Sequence, residues 1–280
     1  MLGREVCRTA RRRGLTVLRA SRAPAEGDAV VFDAERDDPR SLFRSEVDLV
    51  VNCAAVLAPD VDPSDPASLA SAERVNAVFP HALAEAAAEA EARLVHISTD
   101  GVFAADAGEC SETSVEFSDD AYGSSKRRGE PLAPNALSVR TSFVGLDPVR
   151  HRGLLEWLLS RPDGSRVPGF TDQSWNGVVS TQLASACAFL ADRALFERAR
   201  AEGPVHHLHE NPRLTKYELL ELCRAAFAKD VTIDATDSGA PVTRVLTTVH
   251  SVLVECLKSE PTRDSALRAL AARRDEEADR

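Results

Sequence analysis

The chain has 280 residues, 44% of them hydrophobic and only 5% aromatic, enough apolar material to bury a substantial core as one large domain or a domain with a smaller partner. A formal net charge of −10 and a pI near 5.3 argue against a nucleic-acid or anionic-membrane surface, which needs concentrated Lys and Arg. There is no signal-peptide pattern and no apolar run of about 18 residues, so a cytoplasmic protein is expected. Six cysteines, at positions 7, 53, 110, 187, 223 and 256, form no C-x-x-C pair and no zinc-like spacing; they read as reduced and packed, with no metal site.

In chain order, Met1 to Cys7 begin an amphipathic helix that Gly14 ends, with Arg11-Arg12-Arg13 on its solvated last turn, where the helix dipole favours cations. Leu15 to Leu18 reads as a short buried strand, Ala29 to Phe32 as a second, and Val47 to Cys53 as a third that is almost continuously apolar. Such strands predict a parallel sheet covered on both faces. Pro39 to Arg44 is a helical turn, Ala58 to Asp65 a proline-interrupted loop, and Pro66 to Glu91 a long alanine-rich helix. Leu94 to Ile97 is the next strand and ends at Ser98-Thr99-Asp100, placing polar side chains at the carboxyl end of a central strand, where such sheets bind ligands.

Asp120 can cap a helix carrying Tyr122 and Lys126, and Leu137 to Val139 makes a further strand. This alternation predicts an α/β fold, a Rossmann-like doubly wound parallel sheet. From Ser142 the pattern loosens: Leu154 to Leu159 is helical, Pro162 to Trp175 loop, Thr181 to Arg200 helix, Val205 to Leu208 strand, and Thr215 to Ala228 a helix with a Thr215/Glu218 capping box. The expected division is a Rossmann-like part over 1–141, a smaller α/β substrate-binding part over 142–267, and a fraying charged tail over 268–280.

Chemistry concentrates at Thr99, Tyr122 and Lys126. A tyrosine and a lysine four apart share a helix face, so the ammonium can lie near the phenol oxygen and lower its pKa. A phenol so tuned gives a proton to a carbonyl or takes one from an alcohol, a serine or threonine hydroxyl holds the same oxygen, and the hydride needs a nicotinamide. The chain has two tyrosines and four lysines, which makes a chance pairing at this spacing uncommon.

Gly3, Val47 to Ala55, Arg74 to Val78, Ser98 to Phe103, Tyr122 to Glu130 and Arg140-Thr141, taken in order, resemble the extended short-chain dehydrogenase/reductases, and specifically the dTDP-4-dehydrorhamnose reductase branch. The resemblance covers nearly the whole chain. It implies that Thr99, Tyr122 and Lys126 are the hydroxyl, proton donor and phenolate-stabilising lysine, with Lys126 also holding the nicotinamide ribose. Asn52, Ala54 and Ala55 resemble the segment lining the cofactor ribose and nicotinamide, and Asp33 the aspartate near the adenine, an ordinary turn aspartate being the alternative. Arg19, Ser21 and Arg22 could meet a 2′-phosphate, so NADPH is expected ahead of NADH. The implied substrate is a nucleotide-linked 4-keto-6-deoxy sugar, with Asp100, Val102 and Trp175 as its candidate contacts; a homodimer is compatible with the reading. Epimerisation or dehydration of a nucleotide sugar, and a non-catalytic regulatory subunit, are the alternatives.

Two departures qualify the resemblance. The family begins with a strand and a G-x-x-G-x-x-G turn, of which only Gly3, matching the last glycine, is present. The expectation is that the start as written lies inside the true reading frame, with a truncation that has lost tight cofactor binding as the rival. Gly101 stands where rhamnose reductases usually carry tyrosine, which makes a differently modified sugar plausible. Elsewhere, His206, His207 and His209 alternate faces of a strand and read as structural. Trp157 is expected near a substrate lid, Trp175 against a base or sugar or in the core, and Glu112 on sugar hydroxyls or solvating a loop.

Overall fold

The computed structural model describes residues 1–22 and 29–278. Helix α1 (Leu2–Arg12) buries Leu2, Val6 and Ala10 at helical spacing. Strands β1 (Arg19–Ser21) and β2 (Ala29–Val31) pair in parallel, so the first strand lies farther along than the expected 15–18. Next come β3 (Leu49–Asn52), α2 (Pro66–Ala72), a π-helical stretch Glu73–Val78, α3 (Phe79–Glu89), β4 (Arg93–Ile97), α4 (Ala121–Arg128) and β5 (Ala136–Arg140). The remainder comprises α5 (Leu154–Leu159), β6 (Ser165–Phe170), α6 (Ser180–Phe189), α7 (Arg193–Glu202), β7 (Val205–His207), α8 (Lys216–Ala226), β8 (Val231–Thr236), α9 (Val252–Lys258) and α10 (Arg263–Ala278).

The main sheet runs β7-β5-β4-β3, all parallel. Every residue of β4 and β5 is buried, as their apolar runs predict. One face packs Val95, Ile97, Leu137 and Val139 against Leu2 and Val6 of α1 and Leu183 and Cys187 of α6. The other packs Leu94 and Ala136 against Phe79 and Leu83 of α3, where Phe32, just past β2, joins them. Among the described residues β1 and β2 form a separate ribbon, not hydrogen-bonded to β3, so the expected continuous sheet is interrupted there. Leu18 and Val31, on that ribbon and its approach, are 50% and 58% exposed.

A second core joins α5, α8 and α10 to the parallel pair β6–β8 through Leu155, Leu158, Val167, Leu219, Ile233, Leu267 and Leu270. Three expectations are corrected here. The 162–175 loop contains β6; the 181–200 helix is two, because the Asp192 side chain accepts from Leu195 N (3.1 Å) and starts α7. The tail beyond 267 is α10, continuing to Ala278, because Leu267, Leu270 and Ala271 give it a buried stripe and Arg273 forms a bidentate ion pair with Glu5 (2.8 and 2.7 Å). All six cysteines are free. Among the described residues no helix is long and apolar enough to cross a membrane and no His/Cys/Asp/Glu group could hold a metal ion.

Candidate active site

The site begins where β4 ends. Thr99 caps a short turn, Asp100–Val102: its Oγ1 accepts from Gly101 N (3.0 Å) and donates to Asp100 Oδ1 (3.2 Å). Asp120 caps α4 as expected, accepting from Gly123 N at 2.8 Å. Gly123 allows α4 to lie on the Thr99 turn, since a Cβ there would stand 2.2 Å from the Gly101 carbonyl oxygen. The result brings the Tyr122 ring to the Thr99 side chain, both of them close to Gly101. Gly101 faces the same pair: a Cβ on it would sit 3.3 Å from Thr99 Oγ1 and 3.4 Å from the Tyr122 ring.

One turn on, Lys126 is 2% exposed. Its ammonium donates to Ile97 O at 2.8 Å and lies 3.4 Å from His96 Nε2. Asn52 Oδ1 accepts from Ala54 N (3.0 Å), which turns the Asn52 amide nitrogen to His96 Nδ1 (3.0 Å). That network assigns the imidazole proton to Nε2, facing the lysine. Burial holds the Lys126 ammonium down to about 8.

The expected lowering of the phenol pKa is corrected. Burial, with Asp100 and Asp120 nearby, pushes Tyr122 up to about 12 despite the Thr99 side chain and the Arg244 charge. The lysine ammonium donates to Ile97 O instead. Tyr122 therefore stands protonated at neutral pH.

Several residues that hold the site were overlooked individually by sequence reasoning. Ser98 donates to Glu130 Oε1 (2.6 Å), and Glu130 forms a bidentate pair with Arg140 (2.8 and 2.7 Å), both buried. Asn76, fully buried, accepts from Val56 N (2.9 Å), donates to Val56 O (3.0 Å) and contacts Ser125 Oγ (3.3 Å), tying the loop after β3 to α4. A polar residue inside an apolar run, such as His96 within Leu94 to Ile97, was the available signal. Glu112 is a structural clamp: it accepts from His207 N (2.9 Å), Thr248 Oγ1 (2.5 Å) and Val249 N (3.0 Å).

The other expected residues divide. Asn52 ends β3 and Ala54 and Ala55 follow it, beside α1, where a Cβ on Gly3 would stand 3.7 Å from the Cys53 Cβ. The first turn of α1 has no side-chain cap, so its N–H groups are suited to a phosphate. Arg19, Ser21, Arg22 and Asp33 lie on or next to the β1–β2 ribbon. Asp33 accepts from Glu35 N (3.0 Å), the turn role weighed from sequence. Asp100 stays at the site, with Arg244 Nε 3.9 Å away. Two substrate candidates are corrected. Val102 is fully buried against Phe103, Cys110 and Leu246. Trp175 is 3% exposed, donates to Ser142 Oγ (2.8 Å) and belongs to the second core. Trp157 instead lines an open cavity of about 220 Å³ with Phe170, Gln173 and Lys216.

The family model of the RmlD substrate binding domain matches residues 1–268. The chain is 30% identical over 266 residues to a dTDP-4-dehydrorhamnose reductase of Mycolicibacterium smegmatis, across 81% of this chain and 77% of that one. The Clostridium acetobutylicum dTDP-4-dehydrorhamnose reductase superposes over 96% of both chains, with a TM-score of 0.70 and 18% identity. The Bacillus anthracis dTDP-4-dehydrorhamnose reductase, solved in complex with NADP, does so over 88% of this chain and 90% of that one, at 0.69 and 18%. At such identities the two structures speak for the fold, whereas the family match covers the sequence itself: the chain belongs to the RmlD substrate-binding family, in the dTDP-4-dehydrorhamnose reductase-like branch of the extended short-chain dehydrogenase/reductases.

Proposed function

We propose that this chain is an NAD(P)H-dependent reductase of a nucleotide-linked 4-keto-6-deoxy sugar in which Tyr122 protonates the carbonyl oxygen. The observation that carries this reading is the hydroxyl pair Thr99–Tyr122, with the buried Lys126 one helical turn away on α4. A nicotinamide cofactor bound at the carboxyl ends of β3 and β4 supplies the hydride. The residues suited to hold it are Asn52, Ala54, Ala55 and Lys126 at the nicotinamide end, the first turn of α1 with Gly3 at the phosphates, and Arg19, Ser21, Arg22 and Asp33 at the adenosine end. The arginines favour NADPH, and the Bacillus anthracis relative is described with NADP.

Thr99 and Tyr122 hold the carbonyl oxygen between two hydroxyls, and Tyr122, kept protonated by burial, gives up its proton as negative charge develops there. Lys126, one turn farther along α4, is the residue this reading assigns to stabilising the phenolate. The test is NADPH oxidation with dTDP-4-dehydrorhamnose, for wild type and Tyr122→Phe. Turnover falling by about 10²–10⁴-fold in the variant supports the reading, and unchanged turnover overturns it. Substrate conversion without net NADPH consumption would mark redox-neutral epimerisation instead.

The interrupted sheet favours one other reading, a binding subunit with weak cofactor affinity. Calorimetric titration with NADPH separates the two, because micromolar binding removes the reason for the second.

A further inference from the structure

We propose that His96 is a positioning residue for Lys126: Asn52 holds the imidazole with its N–H aimed at the ammonium, and two donors facing one another make the lysine readier to release its proton. For its consequence in turnover the proposal rests on the reductase reading above; the geometry that carries it does not.

His96 lies within β4 and is fully buried. Asn52, the last residue of β3, stands opposite it in the parallel register. The Ala54 backbone N–H can only donate, so the Asn52 atom it meets at 3.0 Å is the oxygen. The nitrogen of the same amide is left to donate to His96 Nδ1, at 3.0 Å. A neutral imidazole that accepts on Nδ1 carries its proton on Nε2, and that nitrogen is 3.4 Å from Lys126 Nζ. An ammonium has donors and no acceptor, so the contact is no hydrogen bond while the lysine is charged, and the two N–H dipoles oppose one another. The hydrogen bond to Ile97 O (2.8 Å), next to His96 on the same strand, keeps the ammonium in that place.

Burial already weakens the lysine's hold on its proton, and the remaining neighbours do little to restore it. Glu130 favours the ammonium, but its carboxylate is taken up by Ser98 and by the Arg140 guanidinium. Cys53 would favour it only as a thiolate, and burial pushes that thiol up to about 12. Burial, and then the charges of Lys126 and His81, oppose a second proton on the His96 ring, so the ring stays neutral and takes no part in the titration itself. Loss of the lysine proton removes the opposition of the two donors. On the reductase reading Lys126 has to be charged to stabilise the phenolate, so the pH at which it is discharged sets the alkaline limit of turnover, and His96 brings that limit down towards neutrality.

The test is a pH titration of the full chain carrying carbon-13 at the lysine Cε, whose signal follows the charge on each side chain. Four lysines keep the spectrum sparse, and Lys126→Met assigns the signal. Wild type should titrate at about pH 8. His96→Leu removes the opposing N–H and keeps the position apolar; its midpoint should lie about one pH unit higher, a tenfold tighter hold on the proton. Asn52→Ala keeps the ring but releases its tautomer, which lets Nε2 accept from the ammonium, and its midpoint should move the same way. Circular dichroism checks that each variant folds. A midpoint that is unchanged or lower in folded His96→Leu overturns the proposal, because a ring that only fills space leaves the lysine where it is and a ring accepting from the ammonium would lower the midpoint when removed. Should His96→Leu fail to fold, Asn52→Ala decides by the same rule. NADPH-linked turnover is scored separately, and its alkaline limb should follow the lysine midpoint. A midpoint that moves while the limb stays still keeps the role of His96 and removes Lys126 from the reductase reading, and a midpoint that moves in a chain reducing no sugar removes that reading alone.

Discussion

β4 and β5 are buried at every position, while Val31 of β2 is 58% exposed, although all three come from short apolar runs of similar composition. The difference lies in their neighbours. β4 and β5 each pair on two sides and are covered by helices on two faces, whereas β1 and β2 pair only with each other among the described residues. Thr99, Lys126 and Asn52 depend on the first region, and Arg19, Ser21, Arg22 and Asp33 on the second. The proposed proton-transfer end of the site is thus held by the buried, doubly paired strands, and the expected adenosine end by a ribbon paired only with itself among the described residues.

The largest effect expected from this contrast separates activity from stability at one residue. Lys126→Met should lower NADPH-linked turnover by about 10²–10⁴-fold while leaving the melting temperature unchanged or raised, because it removes a buried charge. A marked loss of stability would show that the hydrogen bond to Ile97 O outweighs the burial. Next, Glu130→Gln strands the buried Arg140 guanidinium and should cost about 3–5 kcal/mol in urea unfolding.

Acid should act on the same region. Burial lowers His96, His206, His207 and His209, with His207 down to about 4. The unfolded chain takes up these protons below about pH 6.5 while the folded chain resists, so stability is present above that pH and lost as it falls, at up to about 1.4 kcal/mol per unit for each histidine. A melting temperature that is flat between pH 7 and 5 would contradict this. The smallest effect belongs to the ribbon: Val31→Thr should change stability by no more than about 0.5 kcal/mol. A cost comparable to Glu130→Gln would mean that the ribbon is as integral as the sheet, and the comparison would fail.

Where one element fixes its own signal, the sequence was readable. The buried strands announce themselves as apolar runs, the Asp120 cap and the Thr215/Glu218 capping box form as written, and Thr99 and Tyr122 come near one another because a strand end and a helix start carry them. Signals that depend on distant partners were not readable. β6 contains Pro168 and Gly169 and gains strand character only by pairing with β8. Val102 and Trp175 look like ligand contacts beside polar motifs, but long-range packing against Leu246 and the second core encloses them. The Tyr122–Lys126 spacing led to an expected lowering of the phenol pKa that burial reverses.

The tautomer of His96 makes that ring a reporter. With Nδ1 accepting from Asn52 and Nε2–H directed at Lys126, the imidazole is a spectator whose own charge is suppressed by burial. When Lys126 loses its proton, near pH 8, its amine gains a lone pair and becomes an acceptor for Nε2–H. Nitrogen-15 shifts of this one ring should then trace the ionisation of the lysine, without a substitution and without turnover.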